Sequence, residues 1–183
     1  ASAVANSRLY SFTAVAYEYD PSNDRWTALA PPPADLSWGQ AATVNGVIYV
    51  FNGTNNYAYD PSAGIWTQKA SPPRSHGSWP AVAQVNGIIY VIGGATPNTD
   101  AVDAYNPATD GWIQKASIPA PLGYKGYASA VEYNGKIYVF GGGGWGAGAT
   151  NETWEYDPTS DAWTRKAGLA ESSGVPAFIG VLI

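Results

Sequence analysis

No cysteine and no methionine occur among the 183 residues, and there is a single histidine. The missing thiols exclude a disulfide framework, a cysteine-ligated zinc and a cysteine nucleophile. One histidine, His76, cannot build a histidine-based metal centre, and a Ser-His-Asp triad would rest on that residue alone. Charge is scarce as well. Only 13% of residues are charged, about half of the ~25% usual in a globular domain. Nine basic residues stand against 14 acidic ones, for a net charge of −5. The basic residues are scattered singly, so no stripe exists to follow a phosphate backbone, and nucleic acid is excluded as a partner. No apolar run approaches the ~20 residues that cross a bilayer. The stretch 177–183 is the longest of interest and is strand-sized, so no membrane insertion is expected.

What the chain has instead is aromatic and turn-forming residues. Hydrophobic residues make up 45% and aromatics 14%, with 8 Trp, 13 Tyr, 21 Gly and 14 Pro. Many short strands joined by tight turns give this composition. Internal repetition confirms the reading. A β-rich run occurs four times, at Leu9-Tyr10-Ser11-Phe12, Ile48-Tyr49-Val50-Phe51, Ile89-Tyr90-Val91-Ile92 and Ile137-Tyr138-Val139-Phe140. Three copies follow Asn-Gly (Asn45-Gly46, Asn86-Gly87, Asn134-Gly135), the strongest short hairpin signal because a type I′ turn needs positive φ twice. The first copy has Asn6-Ser7 there and reads as one residue longer. A second strand ends in Tyr19-Asp20-Pro21, Tyr59-Asp60-Pro61, Tyr105-Asn106-Pro107 and Tyr156-Asp157-Pro158. A Trp follows six residues after each Asp or Asn, at 26, 66, 112 and 163. The Trp spacings of 40, 46 and 51 show one loop growing while the framework stays fixed.

Asn-Gly, Ile-Tyr-Val, paired glycines (Gly93-Gly94, Gly141-Gly142), Tyr-Asp-Pro and the spaced Trp, four times in fixed order, resemble the kelch repeat over nearly the whole chain. Repeats one and two depart from the pattern, with Phe12-Thr13 and Asn52-Gly53 in place of the paired glycines. The resemblance implies an all-β, kelch-type β-propeller of four four-stranded antiparallel blades around a channel. One domain, 1–183, then divides into repeats at about 1–36, 37–76, 77–123 and 124–171. The recurring Trp, Tyr and Gly are read as packing between blades. Kelch enzymes resembling galactose oxidase need a Cys-Tyr crosslink and His ligands, which this chain lacks, and nothing maps onto the active residues of the larger sialic acid epimerases.

The inner strand of repeat two, 40–44, starts 14 residues after Trp26, and the same offset from Trp163 gives 177–181. The tail therefore reads as an extra C-terminal strand, 174–183, although residues 1–5 already supply an inner strand. It closes the ring locally, adds to a neighbouring subunit through Phe178, Ile179, Val181 and Leu182, or belongs to a longer propeller.

Alternate loops of a meander emerge on one face. The links between repeats place Asp35, Trp38, Arg74, His76, Trp79, Tyr124 and Lys125 there. The loops between second and third strands add Asn55, Asn56, Asn98, Asp100 and Trp145. Trp38, Trp79, Tyr124, Trp145, Arg74 and His76 form the candidate ligand-binding set for a protein or carbohydrate, since aromatics beside amides and single charges suit either. The competing reading makes the aromatics caps on the core and the lone loop histidine a surface residue. Glu18, Glu132 and Glu155 sit on separate strands, read as solvated, with no spacing that pairs them as acid and base. The run 141–146 fits G-x-G-x-x-G but leads into a strand, not a helix, so it is no nucleotide fingerprint. No cofactor is expected. Sequons at Asn52 and Asn151 lie on the same face, and with the processed-looking start Ala1-Ser2-Ala3 they point to an extracellular or secreted protein. The expectation is a non-catalytic binding module. The alternative is a subunit that self-assembles through its terminal strand.

Overall fold

Four antiparallel meanders follow one another along the chain. The computed structural model describes residues 1–95, 99–119, 126–144 and 148–170. The first sheet comprises β1 (Ser2–Ala5), β2 (Arg8–Phe12), β3 (Ala16–Asp20) and β4 (Arg25–Ala28). The second holds β5 (Gln40–Val44), β6 (Val47–Asn52), β7 (Asn55–Asp60) and β8 (Ile65–Gln68). The third holds β9 (Ala81–Val85), β10 (Ile88–Ile92), β11 (Val102–Asn106) and β12 (Gly111–Lys115). The fourth holds β13 (Ser129–Tyr133), β14 (Lys136–Phe140), β17 (Thr153–Asp157) and β18 (Ala162–Lys166), with a small ribbon of β15 (Gly143–Gly144) and β16 (Gly148–Ala149) in its longest loop.

The turns show why the repeat is spelled as it is. Asn45-Gly46, Asn86-Gly87 and Asn134-Gly135 all have positive φ at both residues, as a type I′ turn requires. Asn6 and Ser7 do the same at φ 50° and 60°, without glycine. Ala5 pairs with Arg8 as Val44 pairs with Val47, so this turn is a two-residue loop like the others and not one residue longer. At the next turn the side chain of Asp20, Asp60, Asn106 or Asp157 accepts the N–H two residues on, at 2.8–3.0 Å. Proline fixes φ between them. The loop between second and third strands runs over 13–15, 53–54, 93–101 and 141–152, which is where the repeats differ in length.

Strand alternation makes both faces of each sheet apolar. Tyr10 and Phe12 point at the second sheet, where Ile48, Val50, Tyr57 and Tyr59 meet them. Tyr49 and Phe51 meet Ile89, Val91 and Tyr105. Tyr90 and Ile92 meet Ile137, Val139, Trp154 and Tyr156. Three such clusters form the core. The repeated Trp belongs to them: Trp66 packs edge-on against Phe12 at 5.0 Å, Trp112 against Phe51 at 5.7 Å, and Trp163 adjoins the third cluster. Trp26 is the exception at 56% exposed, because among the described residues no other sheet packs on that side of the first. Among the described residues no cluster joins the fourth sheet to the first. The extra strand, 174–183, lies outside the described residues.

The same substitution should therefore differ between repeats. Trp112→Ala removes an inter-sheet wedge and should cost about 3 kcal/mol, whereas Trp26→Ala should cost under ~1 kcal/mol. Urea unfolding of the two variants checks this.

Candidate binding site at the start of the inner strands

Each link between sheets enters the next inner strand through an aromatic. Trp38, Trp79 and Tyr127 each stand two residues before the strand, ahead of Gln40, Ala81 and Ser129. They form an arc. Trp38 and Trp79 have ring centroids 5.0 Å apart, and Trp79 stacks on Tyr127 at 4.5 Å with planes 25° apart. The backbone is tied in the same order: the Trp79 N–H donates to the Trp38 carbonyl at 2.8 Å, and the Tyr127 N–H to the Trp79 carbonyl at 3.1 Å. Tyr127 is buried, Trp79 half-buried, and Trp38 is 55% exposed. Trp79 and Tyr127 have φ of 52° and 63°. The left-handed region costs a bulky residue about 1–2 kcal/mol, so tertiary contacts hold these backbones there.

Trp38 and Trp79 border a shallow cleft of about 380 Å³. Its other walls are Ala1, Ser2, Ser11, Thr13, Ser37, Gly39 and Gln40, none with a charged side chain, and the Ala1 ammonium donates to the Phe12 carbonyl at 2.8 Å. The lining combines one open indole with hydroxyls and an amide. Hydroxyl and amide groups can meet a neutral polar ligand without desolvating a charge.

Sequence reasoning brought Trp38 and Trp79 to this site and missed Tyr127. Tyr124, Lys125, Trp145 and Asn98 lie outside the described residues, as do Phe178, Ile179, Val181 and Leu182. The signal for Tyr127 was available: Trp38, Trp79 and Tyr127 each precede the turn asparagine (Asn45, Asn86, Asn134) by seven residues. Counting forward from the repeat Trp crosses a link of variable length and selects Tyr124 instead.

Arg74 and His76 do not offer themselves to a ligand, contrary to the sequence reading. His76 is 1% exposed, with Nδ1 2.9 Å from the Gly93 carbonyl oxygen and Nε2 2.9 Å from the Asp103 carboxylate. Arg74 donates to Asp103 from Nη2 at 2.8 Å and to the Val102 carbonyl at 2.7 Å. The trio rivets the link between the second and third sheets to β11. Gly94 permits it, since a Cβ there would stand 1.6 Å from the His76 carbonyl oxygen. Burial works to raise the Asp103 pKa, but the hydrogen bonds and charges of His76 and Arg74 outweigh it and hold the carboxyl below its usual range.

Other expectations need correction as well. Asn55 and Asn56 belong to β7, not to a loop, and Asn56 is buried with its amide on the Ala70 carbonyl at 3.2 Å. Glu155 is not solvated. It is 6% exposed, and Lys136, Lys166 and Tyr138 bond its carboxylate, lowering its pKa to about 2. The sequon amides are both engaged, Asn52 with the Asp35 carbonyl at 3.0 Å and Asn151 with that of Leu169 at 3.1 Å.

Comparison with known proteins agrees with this architecture. A family model described as Kelch motif matches residues 80–119 and 125–169. Kelch-like protein 35 of Mus musculus is 27% identical over 165 residues, covering 88% of this chain. The chain belongs to the kelch-repeat family. Beta-scruin of Limulus polyphemus is 26% identical over 154 residues, 84% of the chain. The solved structure of YjhT superposes with a TM-score of 0.81 at 20% identity, over 95% of this chain and 66% of that one, which establishes the propeller fold. This kelch chain spans only part of its relatives, 21% of the mouse protein's length and 13% of the Limulus protein's.

The rivet predicts an acid sensitivity. A depressed carboxyl pKa contributes stability that is fully present above the ordinary carboxylate range, ~pH 4, and is lost as pH falls through the folded-state value. Asp103→Asn should lose about 3 kcal/mol near neutrality, because the buried His76 ring and the Arg74 guanidinium both lose the carboxylate that they are bonded to. It should also flatten the acid limb of a melting-temperature profile between pH 7 and pH 2.

Proposed function

We propose that this kelch chain is a non-catalytic binding module that holds an uncharged ligand, a glycan or a polypeptide segment, against Trp38 in the cleft beside the aromatic arc. Its membership of the kelch-repeat family supports a protein-binding role at the coarser level. The observation that carries the finer reading is the contrast along the arc. Tyr127 is buried and Trp79 half-buried, yet Trp38 is 55% exposed, fixed by both ring and backbone to its neighbour. An indole held rigid and open loses little entropy on binding and offers a large flat apolar face with an N–H at its edge. Ser37, Gln40, Ser11 and Thr13 supply donors and acceptors around it. The catalytic candidates are committed elsewhere: His76 and Asp103 to the rivet, Glu155 to two lysines.

Trp38→Ala should leave the melting temperature within a few degrees of the parent. It should weaken binding at least tenfold, as loss of a central aromatic anchor does, to ligands recovered by screening the parent chain on glycan and peptide arrays. Retention of those ligands by Trp38→Ala would place the binding surface elsewhere. Trp79→Ala should lower the melting temperature as well, since it removes the brace.

A further inference from the structure

Three of the inner hairpins turn on the same dipeptide, Asn45-Gly46, Asn86-Gly87 and Asn134-Gly135. All three asparagines are exposed, and both residues of each turn have positive φ. Asn-Gly carries a chemistry of its own. A glycine nitrogen that gives up its proton can attack Cγ of the asparagine before it, since glycine has no Cβ to hinder the approach. Dipeptide, exposure and backbone form are alike in the three turns. Any difference in reactivity therefore lies in what holds the glycine N–H.

On that point the turns part. Gly87 donates its N–H to Gln84 Oε1 at 3.0 Å, and Gly135 donates to Glu132 Oε1 at 2.7 Å. Each of these guards stands three residues before its glycine. The same place ahead of Gly46 holds Thr43, whose hydroxyl donates instead to the Val4 carbonyl at 2.8 Å. Among the described residues no group accepts the Gly46 N–H. The first turn has no guard either, with Val4 in the guard's place, but Ser7 stands where the others have glycine and its Cβ hinders the attack.

A guard slows the reaction in two ways. The N–H must leave its acceptor before a base can take the proton, and a bond to a charged acceptor is the stronger kind. The Glu132 carboxylate also opposes the negative charge that would build on the Gly135 nitrogen.

We propose that Asn45-Gly46 is a site of spontaneous covalent modification in the folded chain, with water as the co-reactant. A base in the solvent removes the Gly46 amide proton, and the nitrogen attacks Asn45 Cγ. The N–Cγ bond forms and the Cγ–Nδ2 bond breaks. The proton returns to the departing nitrogen, which leaves as ammonia, and a cyclic succinimide remains. Water then opens the ring. Attack at Cγ gives aspartate, and attack at the Asn45 main-chain carbonyl gives isoaspartate, in which the chain runs through Cβ and Cγ. Either product puts a negative charge on a neutral turn. The isoaspartyl form also lengthens the backbone of a two-residue loop that sets the pairing of Val44 with Val47. Val44 is buried in the cluster between the second and third sheets, so the change reaches the core.

Peptide mapping by mass spectrometry tests this by following each asparagine while the folded chain is held in mildly alkaline buffer. Asn45 should convert several times faster than Asn86 and Asn134. In denaturing urea, where neither guard is held in place, the three should convert at nearly equal rates. Gln84→Ala and Glu132→Ala, both at exposed positions, should each raise the rate at the neighbouring asparagine severalfold and leave Asn45 unchanged. Equal rates at the three sites of the folded parent would overturn the proposal. A folded chain that keeps Asn45 intact while the unfolded chain converts would do the same, because the turn itself would then be protective. Guard variants as slow as the parent would remove Gln84 and Glu132 as the cause of the difference, and the proposal with them.

Discussion

A four-stranded sheet that is apolar on both faces cannot remain uncovered, and the architecture follows from that constraint. Strand alternation puts Tyr49 and Phe51 on one side of β6 and Ile48 and Val50 on the other, and all four are buried, beneath different neighbours. A blade of this kind needs a neighbour on each side. Among the described residues, stacking in sequence meets the demand at three junctions. The exposure of Trp26 and Tyr133 is therefore a property of position in the array, since the same places in other repeats are covered.

Covering a face is non-directional, so something else must set the register between sheets. At the second and third junctions Ala70 and Ala116 do this, each held by both of its backbone groups. A backbone N–H and carbonyl of one residue are held by an aspartate and an indole of the next sheet, which fixes height and tilt together. The fixed six-residue interval from Asp or Asn to Trp belongs to the same device, because the turn must deliver the indole at one height. Loop length varies most between the second and third strands, and by a residue or two in the links between sheets.

How much of this could be read from the chain varies with the kind of signal. The hairpins, the strand order and the packing of Trp66, Trp112 and Trp163 were legible because they rest on turn chemistry and period-two alternation, both local. Trp26 was misread because repetition suggests equal burial, while burial depends on a neighbouring sheet, and none among the described residues packs on that side of the first repeat. His76 and Arg74 were misread for a related reason. A loop position suggests exposure, but Asp103 lies nearly thirty residues away on β11, and only the paired-glycine turn at Gly93-Gly94 lets the link pass close enough to meet it. Tyr127 was lost to an offset counted across a variable link. The cleft itself had no linear signature, since its walls come from β1, β2 and two separate links.

The cleft draws on the first sheet as well as on the links between sheets. Ser2 and Ser11 are paired across β1 and β2, and both contribute to the cleft. Alternation places Ser11 on the same side of β2 as Leu9, the side that in later repeats faces the preceding sheet. The cleft is therefore formed across the first junction, where β1 and β2 meet the links that carry Trp38 and Trp79 and no single repeat could supply it.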